Sequence, residues 1–269
     1  MKNINLFLIL VCCLLLCACS SNSSQKQNVQ NNVEKKEKSS LVQKDEITIN
    51  AADGKQISAN YFYAQDKKNN VQPLVILIHQ FKQTKEQWAQ SFIDTLVNNG
   101  YKVLAYDIRG HGKSSKVDYD PVKLLTDPEQ APKDVDAVIA WARSQKSSID
   151  SARIGAMGTS IGGNLACYAG HMRYTKTTIT ISNSKEGFEA FLGIDPRKMA
   201  SLFPRVPSVF FICGSKDGQH EQDAKEMIKD YIFDPMELKV YDTDKHGMYL
   251  IEQYPEIYTL VLNWFKKNL

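Results

Sequence analysis

The chain has 269 residues, enough for a single α/β unit, and its hydrophobic fraction of 43% excludes a disordered chain. Lys plus Arg total 33 against 30 Asp plus Glu, a net charge of +3, and no basic patch carries interleaved aromatics, so nucleic acid is excluded as the expected partner. The six cysteines make no disulfide framework: four crowd the N-terminus, and the two in the body, Cys167 and Cys213, read as buried free thiols.

Lys2 is the only charged side chain before Lys26, and the run from Ile4 to Leu16 is almost wholly apolar. It is too short for a membrane span and suits a signal-peptide core. It closes on Leu16-Cys17-Ala18-Cys19, which resembles a bacterial lipobox. The resemblance implies cleavage before Cys19, thioether lipidation of Cys19, and a protein anchored by lipid to a membrane of the bacterial cell envelope. An ordinary secretory signal ending at Ala18 is the alternative. Residues 1–18 are then the signal peptide and 19–44 a lipidated tether. From Ser20 to about Lys44, Ser, Asn, Gln and Lys dominate, and the few apolar side chains cannot offset the entropy of ordering. About 25 residues of flexible coil reach roughly 25–30 Å, enough to clear the headgroups.

From Asp45 the pattern changes. Glu46–Asn50 and Ile57–Tyr63 alternate about Asp53-Gly54 and predict a hairpin. Pro73–Ile78 is a continuous apolar run, as in a buried parallel strand. Thr84–Asn98 has helical spacing with Gly100 just past its end. Strands are expected over Tyr101–Tyr106, Ala152–Met157, Thr177–Ser182, Val206–Cys213 and Leu238–Tyr241. Helices are expected over Lys133–Arg143, Ile161–Met172, Gln222–Tyr231 and Ile251–Lys267. A hairpin followed by repeated strand-helix units predicts one α/β domain over 45–269. It would be a mostly parallel sheet of about eight strands with helices on both faces.

Gly158-Thr159-Ser160-Ile161-Gly162 is a G-x-S-x-G sequence between a predicted strand and a predicted helix, as a nucleophile elbow requires. The turn is tight enough that side chains at 158 and 162 would clash, hence Gly158 and Gly162. The helix behind Ser160 aims backbone N–H groups at a developing oxyanion. Serine needs a base, and five histidines are available: His79, His111, His171, His220 and His246.

These features, with Asp107-Ile-Arg109-Gly110-His111-Gly112-Lys113-Ser114, resemble the α/β-hydrolase superfamily from about Leu74 to the C-terminus. The smaller dienelactone-hydrolase-like and carboxylesterase-like members, with minimal lids, are most similar. The Asp107–Ser114 loop resembles a marker of that fold, so His111 is expected to be structural. The resemblance places the base after the last strand, favouring His246. His220 falls in a different loop and His171 late in the elbow helix. It places the acid after the preceding strand, favouring Asp217, with Asp242 and Asp244 competing because they are nearer His246 in sequence. Ser160, Asp217 and His246 then follow the superfamily's chain order.

The resemblance also assigns the oxyanion hole to the N–H groups of Ile161 and Phe81. Many members have His-Gly after the third strand, whereas this chain has His79-Gln80-Phe81. Gln80 would either form part of the hole itself or impair it. Phe188, Phe191, Leu192 and Met199 either shape an acyl pocket or pack a short helix onto the body. The expected activity is hydrolysis of a small-molecule carboxylic ester through an acyl-enzyme, with no metal or organic cofactor. The alternatives are a non-catalytic binding lipoprotein, or a peptidase or acyltransferase using the same triad.

Overall fold

The computed structural model describes residues 41–117, 120–193, 206–231 and 233–269. The expected signal peptide, Cys19 and most of the expected tether lie outside the described residues, as does Met199. Eight strands form one sheet: β1 Val42–Asn50, β2 Gln56–Ala64, β3 Gln72–Ile78, β4 Lys102–Tyr106, β5 Ile149–Thr159, β6 Thr177–Ile181, β7 Val206–Gly214 and β8 Phe233–Tyr241. Their spatial order is β1-β2-β4-β3-β5-β6-β7-β8. The β1–β2 and β2–β4 pairs are antiparallel. Every later pair is parallel.

Among the described residues the helices are α1 Gln90–Asn98, α2 Pro121–Thr126, α3 Ala131–Ser144, α4 Ile161–His171, α5 Lys185–Leu192, α6 His220–Asp230, α7 Met248–Gln253 and α8 Ile257–Asn268. Among the described residues no helix is long and apolar enough to cross a membrane.

The continuous apolar strands are explained by burial on both faces. Along β3, Leu74, Ile76 and Ile78 join one core cluster with α3 and α4 residues such as Val138 and Leu165. Val75 and Leu77 point the other way, into a cluster with Phe92, Leu96, Val261 and Phe265 of α1 and α8. A third cluster joins Cys167, Phe188, Phe211 and Met227. Each such side chain contributes roughly 1.5–3 kcal/mol by leaving water. Cys167 and Cys213 are free, buried thiols, and burial pushes both up to about 12.

Several expected boundaries move. Strand β1 begins at Val42, ahead of the expected domain start at Asp45, because Val42–Lys44 pair with Phe62–Ala64. The single helix expected over Thr84–Asn98 is a 3-10 turn at Lys85–Gln87 followed by α1. Lys85 causes the break. Its N–H and Nζ both bind the buried Asp107 carboxylate, at 2.7 and 2.6 Å, drawing the segment inward before the helix can start. The helix expected over Ile251–Lys267 is divided at Tyr254-Pro255 into α7 and α8, since proline disfavours helical backbone in the residue before it. Strand β8 runs well ahead of Leu238, starting at Phe233.

Candidate active site

The parallel register sets the carboxyl ends of the central strands along one edge. Ile78 lies opposite Gly158, Thr159 opposite Ile181, Ile181 opposite Ile212 and Gly214 opposite Tyr241. Residues just beyond those ends therefore share that edge: Gln80, Ser160, Ser182, Asp217 and His246. This is where open α/β sheets hold their ligands.

Ser160 caps β5 with φ 53° and ψ −121°, backbone that L-residues rarely adopt. Such strain costs about 1–3 kcal/mol and persists only where the surroundings enforce it. Here they do. A Cβ on Gly158 would overlap the Gly162 carbonyl, and one on Gly162 would overlap the Ile78 carbonyl. The Ser160 N–H is fixed to the Ile181 carbonyl at 2.8 Å. Ile161 is the first residue of α4, so its N–H is one of the four that have no acceptor within the helix.

His246 Nδ1 lies 3.0 Å from each carboxylate oxygen of Asp217. That contact requires a proton on Nδ1 and leaves Nε2 with a free lone pair, an assignment resting on the hydrogen-bond network. Burial pushes the Asp217 carboxyl up. Hydrogen bonds from His246 and Ser182 outweigh it and hold the group below its ordinary value. Asp242 is instead exposed and paired with Lys216 at 2.8 Å, and Asp244 lies 3.5 Å from Lys245 Nζ. Of the three carboxylates weighed in the sequence, Asp217 meets the imidazole.

Two residues of this cluster escape sequence reasoning. Ser182, at the end of β6 with φ 53°, hydrogen-bonds Asp217 and accepts the Gly247 N–H at 3.0 Å. Its only sequence signal is a polar residue at a strand's carboxyl end. His220, set aside by its loop, comes back over the site at the start of α6. Its ring lies 4.8 Å from that of His246 and its Nε2 3.9 Å from Asp217 Oδ1.

The loop after β3 is held by side chains. The His79 ring accepts the Ile108 N–H on Nε2 at 2.9 Å and donates from Nδ1 to the Gln80 carbonyl at 2.7 Å. Burial, the largest influence, pushes its pKa down to about 4 and keeps it neutral. His111 accepts the Lys82 N–H at 3.0 Å, so it braces this loop, the structural role expected for it. The Gln80 N–H donates to Gln87 Oε1 at 3.2 Å, so that amide is occupied rather than offered to an oxyanion. Gln87 in turn donates to Thr159 at 3.1 Å. Gln80 enters the site through its side chain, where Oε1 accepts the Met248 N–H at 2.7 Å.

Residues 69–236 match the family described as "Serine aminopeptidase, S33". The chain belongs to this family. An uncharacterized 31.7 kDa protein of Escherichia coli, from the traX-finO intergenic region, is 35% identical over 91 residues, 34% of this chain and 30% of that protein. The match thus spans under a third of that relative. An esterase of Pyrococcus furiosus superposes with TM-score 0.64 at 22% identity, covering 84% of this chain and 93% of the esterase. A dienelactone hydrolase of Anabaena variabilis superposes with TM-score 0.61 at 13% identity, covering 85% and 99%. These likenesses show the α/β-hydrolase fold.

In this S33-family chain a cavity of about 280 Å³ opens beside Ser160, lined among others by Leu125, Ile161, Asn164, Ser182 and His220. Phe188 and Phe191 are buried in the core clusters, and Leu192 is packed against them. They seat α5 on the body, and what α5 offers the cavity is Glu186 and Gly187. A second hollow, of about 660 Å³, adjoins His246 with Tyr249 and Glu252.

Proposed function

We propose that the chain is a serine hydrolase that cleaves small carboxylic esters through an acyl-enzyme. The carrying observation is the His246–Asp217 contact, in a loop that abuts the Ser160 elbow: a Cβ on Gly247 would stand 3.6 Å from Thr159 Cβ. Ser160 Oγ attacks the ester carbonyl, while His246 Nε2 takes its proton and returns it to the departing alkoxide. Asp217 orients the imidazole and balances the cation that forms. Water then repeats the sequence on the acyl-enzyme. The Ile161 N–H, at the positive end of α4, stabilises the oxyanion, with the Phe81 N–H as second donor. None of these steps calls for a cofactor.

The small cavity beside Ser160 supports a compact acyl group. The family's description favours a second reading, in which the same residues cleave an amino-terminal peptide bond. The lipobox-like Leu16–Cys19 supports a lipid anchor on Cys19 and work at the cell envelope.

Intact-mass detection of fluorophosphonate labelling tests the nucleophile. One adduct is expected per chain and none on Ser160→Ala. An unlabelled parent chain, where a control serine hydrolase reacts fully, would leave a non-catalytic binding protein as the reading. Turnover of aminoacyl anilides without turnover of short-chain esters would replace the esterase with the peptidase.

A further inference from the structure

His220 is placed as a metal ligand would be. Its Nδ1 donates to the Asn183 carbonyl at 2.9 Å, which leaves Nε2 with the lone pair. That nitrogen faces Asp217 Oδ1 at 3.9 Å, beyond hydrogen-bond reach. With the ring neutral, two electron-pair donors confront each other across a gap. On the other side of the carboxylate stands His246 Nδ1, at 3.0 Å. One donor atom from each of Asp217, His220 and His246 lies within 4.8 Å of the other two.

Two imidazole nitrogens and one carboxylate oxygen are the donor set of an open zinc site, with the fourth position left to water. Zinc bonds of about 2.0–2.2 Å in a tetrahedron put neighbouring donors roughly 3.3–3.6 Å apart, between the separations of His246 and His220 from Asp217. The His220 Nδ1–H bond to a backbone carbonyl is the outer contact that orients ligating imidazoles. Nitrogen donors disfavour Mg²⁺ and Ca²⁺, which prefer all-oxygen sites.

We propose that Asp217, His220 and His246 form a Zn²⁺ site whose occupancy switches the hydrolase off. The switching, though not the binding, rests on the serine-hydrolase reading above. Zinc takes the lone pair of His246 Nδ1, and the ring's one proton moves through water to Nε2. The nitrogen that would accept the Ser160 proton then has no lone pair, and Asp217 is held by the metal.

The test uses the full chain, stripped with chelator, and Zn²⁺ alone as probe. Calorimetry should give one Zn²⁺ per chain, and Zn²⁺ should slow fluorophosphonate labelling of Ser160 by more than about tenfold, reversed by EDTA and not reproduced by Mg²⁺. His220→Ala should weaken binding and raise the half-inhibiting Zn²⁺ concentration by more than about tenfold. His220→Asn, which retains a donor toward Asn183 but lacks Nε2, guards against misfolding of the alanine variant. No saturable binding by the parent chain, or unchanged affinity in a folded His220 variant, overturns the site. Zinc bound with labelling undiminished overturns the switch. Zinc bound to a chain that never labels, even when stripped, upholds the metal site and rejects the serine-hydrolase reading.

Discussion

Gln80 Oε1 accepts the Met248 N–H at 2.7 Å, tying the loop after β3 to the first turn beyond His246. The side chain that stands where the resemblance led to the expectation of glycine is thus a strut between the two loops that flank Ser160. Gly247 tolerates this closeness because it has no Cβ: one would overlap Gln80 Oε1, and its φ of 56° already favours glycine.

Gln80→Ala should therefore lower the labelling rate of Ser160 about tenfold or more while costing about 1–2 kcal/mol of stability, the cost of leaving a buried N–H unpaired. Labelling kinetics and urea unfolding on the same preparation read both. Unchanged labelling would mean that the strut does not position the site.

The elbow admits no side chain at positions 158 and 162. Gly158→Ala and Gly162→Ala each drive a methyl into a backbone carbonyl, and should cost about 1–3 kcal/mol or more and abolish labelling. Ser160→Ala keeps the backbone and should unfold close to the parent midpoint. A Gly158→Ala chain as stable and as reactive as the parent would contradict the close approach.

Lys85 is buried with its ammonium 2.6 Å from Asp107 and 3.1 Å from Ser58 Oγ. Removing one partner of such a pair strands the other charge, so Lys85→Met should destabilise by about 3–5 kcal/mol. The loss should be read as a shift of the denaturant midpoint at unchanged slope.

His79 makes stability depend on pH. Its ordinary value of 6.5 applies in the unfolded chain, and burial depresses it to about 4 in the folded one. Between those values the unfolded chain binds a proton that the folded chain refuses. Stability should fall as pH drops from about 6.5 to about 4, by about 3 kcal/mol, and His79 adds nothing further below that. Burial shifts His111 and His171 in the same direction. His79→Gln should flatten the profile over this range, and a profile as steep as the parent's would assign it to those other histidines.

Metabolic labelling with a fatty acid tests the anchor. Label should enter the parent chain and be lost from Cys19→Ser. Label retained in that variant would reject the lipobox reading of Leu16–Cys19.

The sequence by itself determined most of the elements and their chemistry-bearing ends. Apolar runs such as Pro73–Ile78 need burial on both faces, and only a parallel sheet covered by helices supplies it. Gly158 and Gly162 announce a turn too tight for side chains. These are local properties, carried by periodicity and by single residues. What tertiary structure decided depends on contacts between distant positions. Sequence favoured Asp217 only by resemblance, with Asp242 and Asp244 competing, and the fold brings Asp217 to His246. Sequence put His220 in the wrong loop, and the start of α6 returns it to the same carboxylate. Helical spacing ran through Lys85, but a buried ion pair with Asp107 outweighed the first turn of a helix. Gln80 read as a lost glycine, and its partner lies 168 positions away. No short-range pattern encodes such a contact, because parallel strands join residues through crossovers whose length the local sequence does not register.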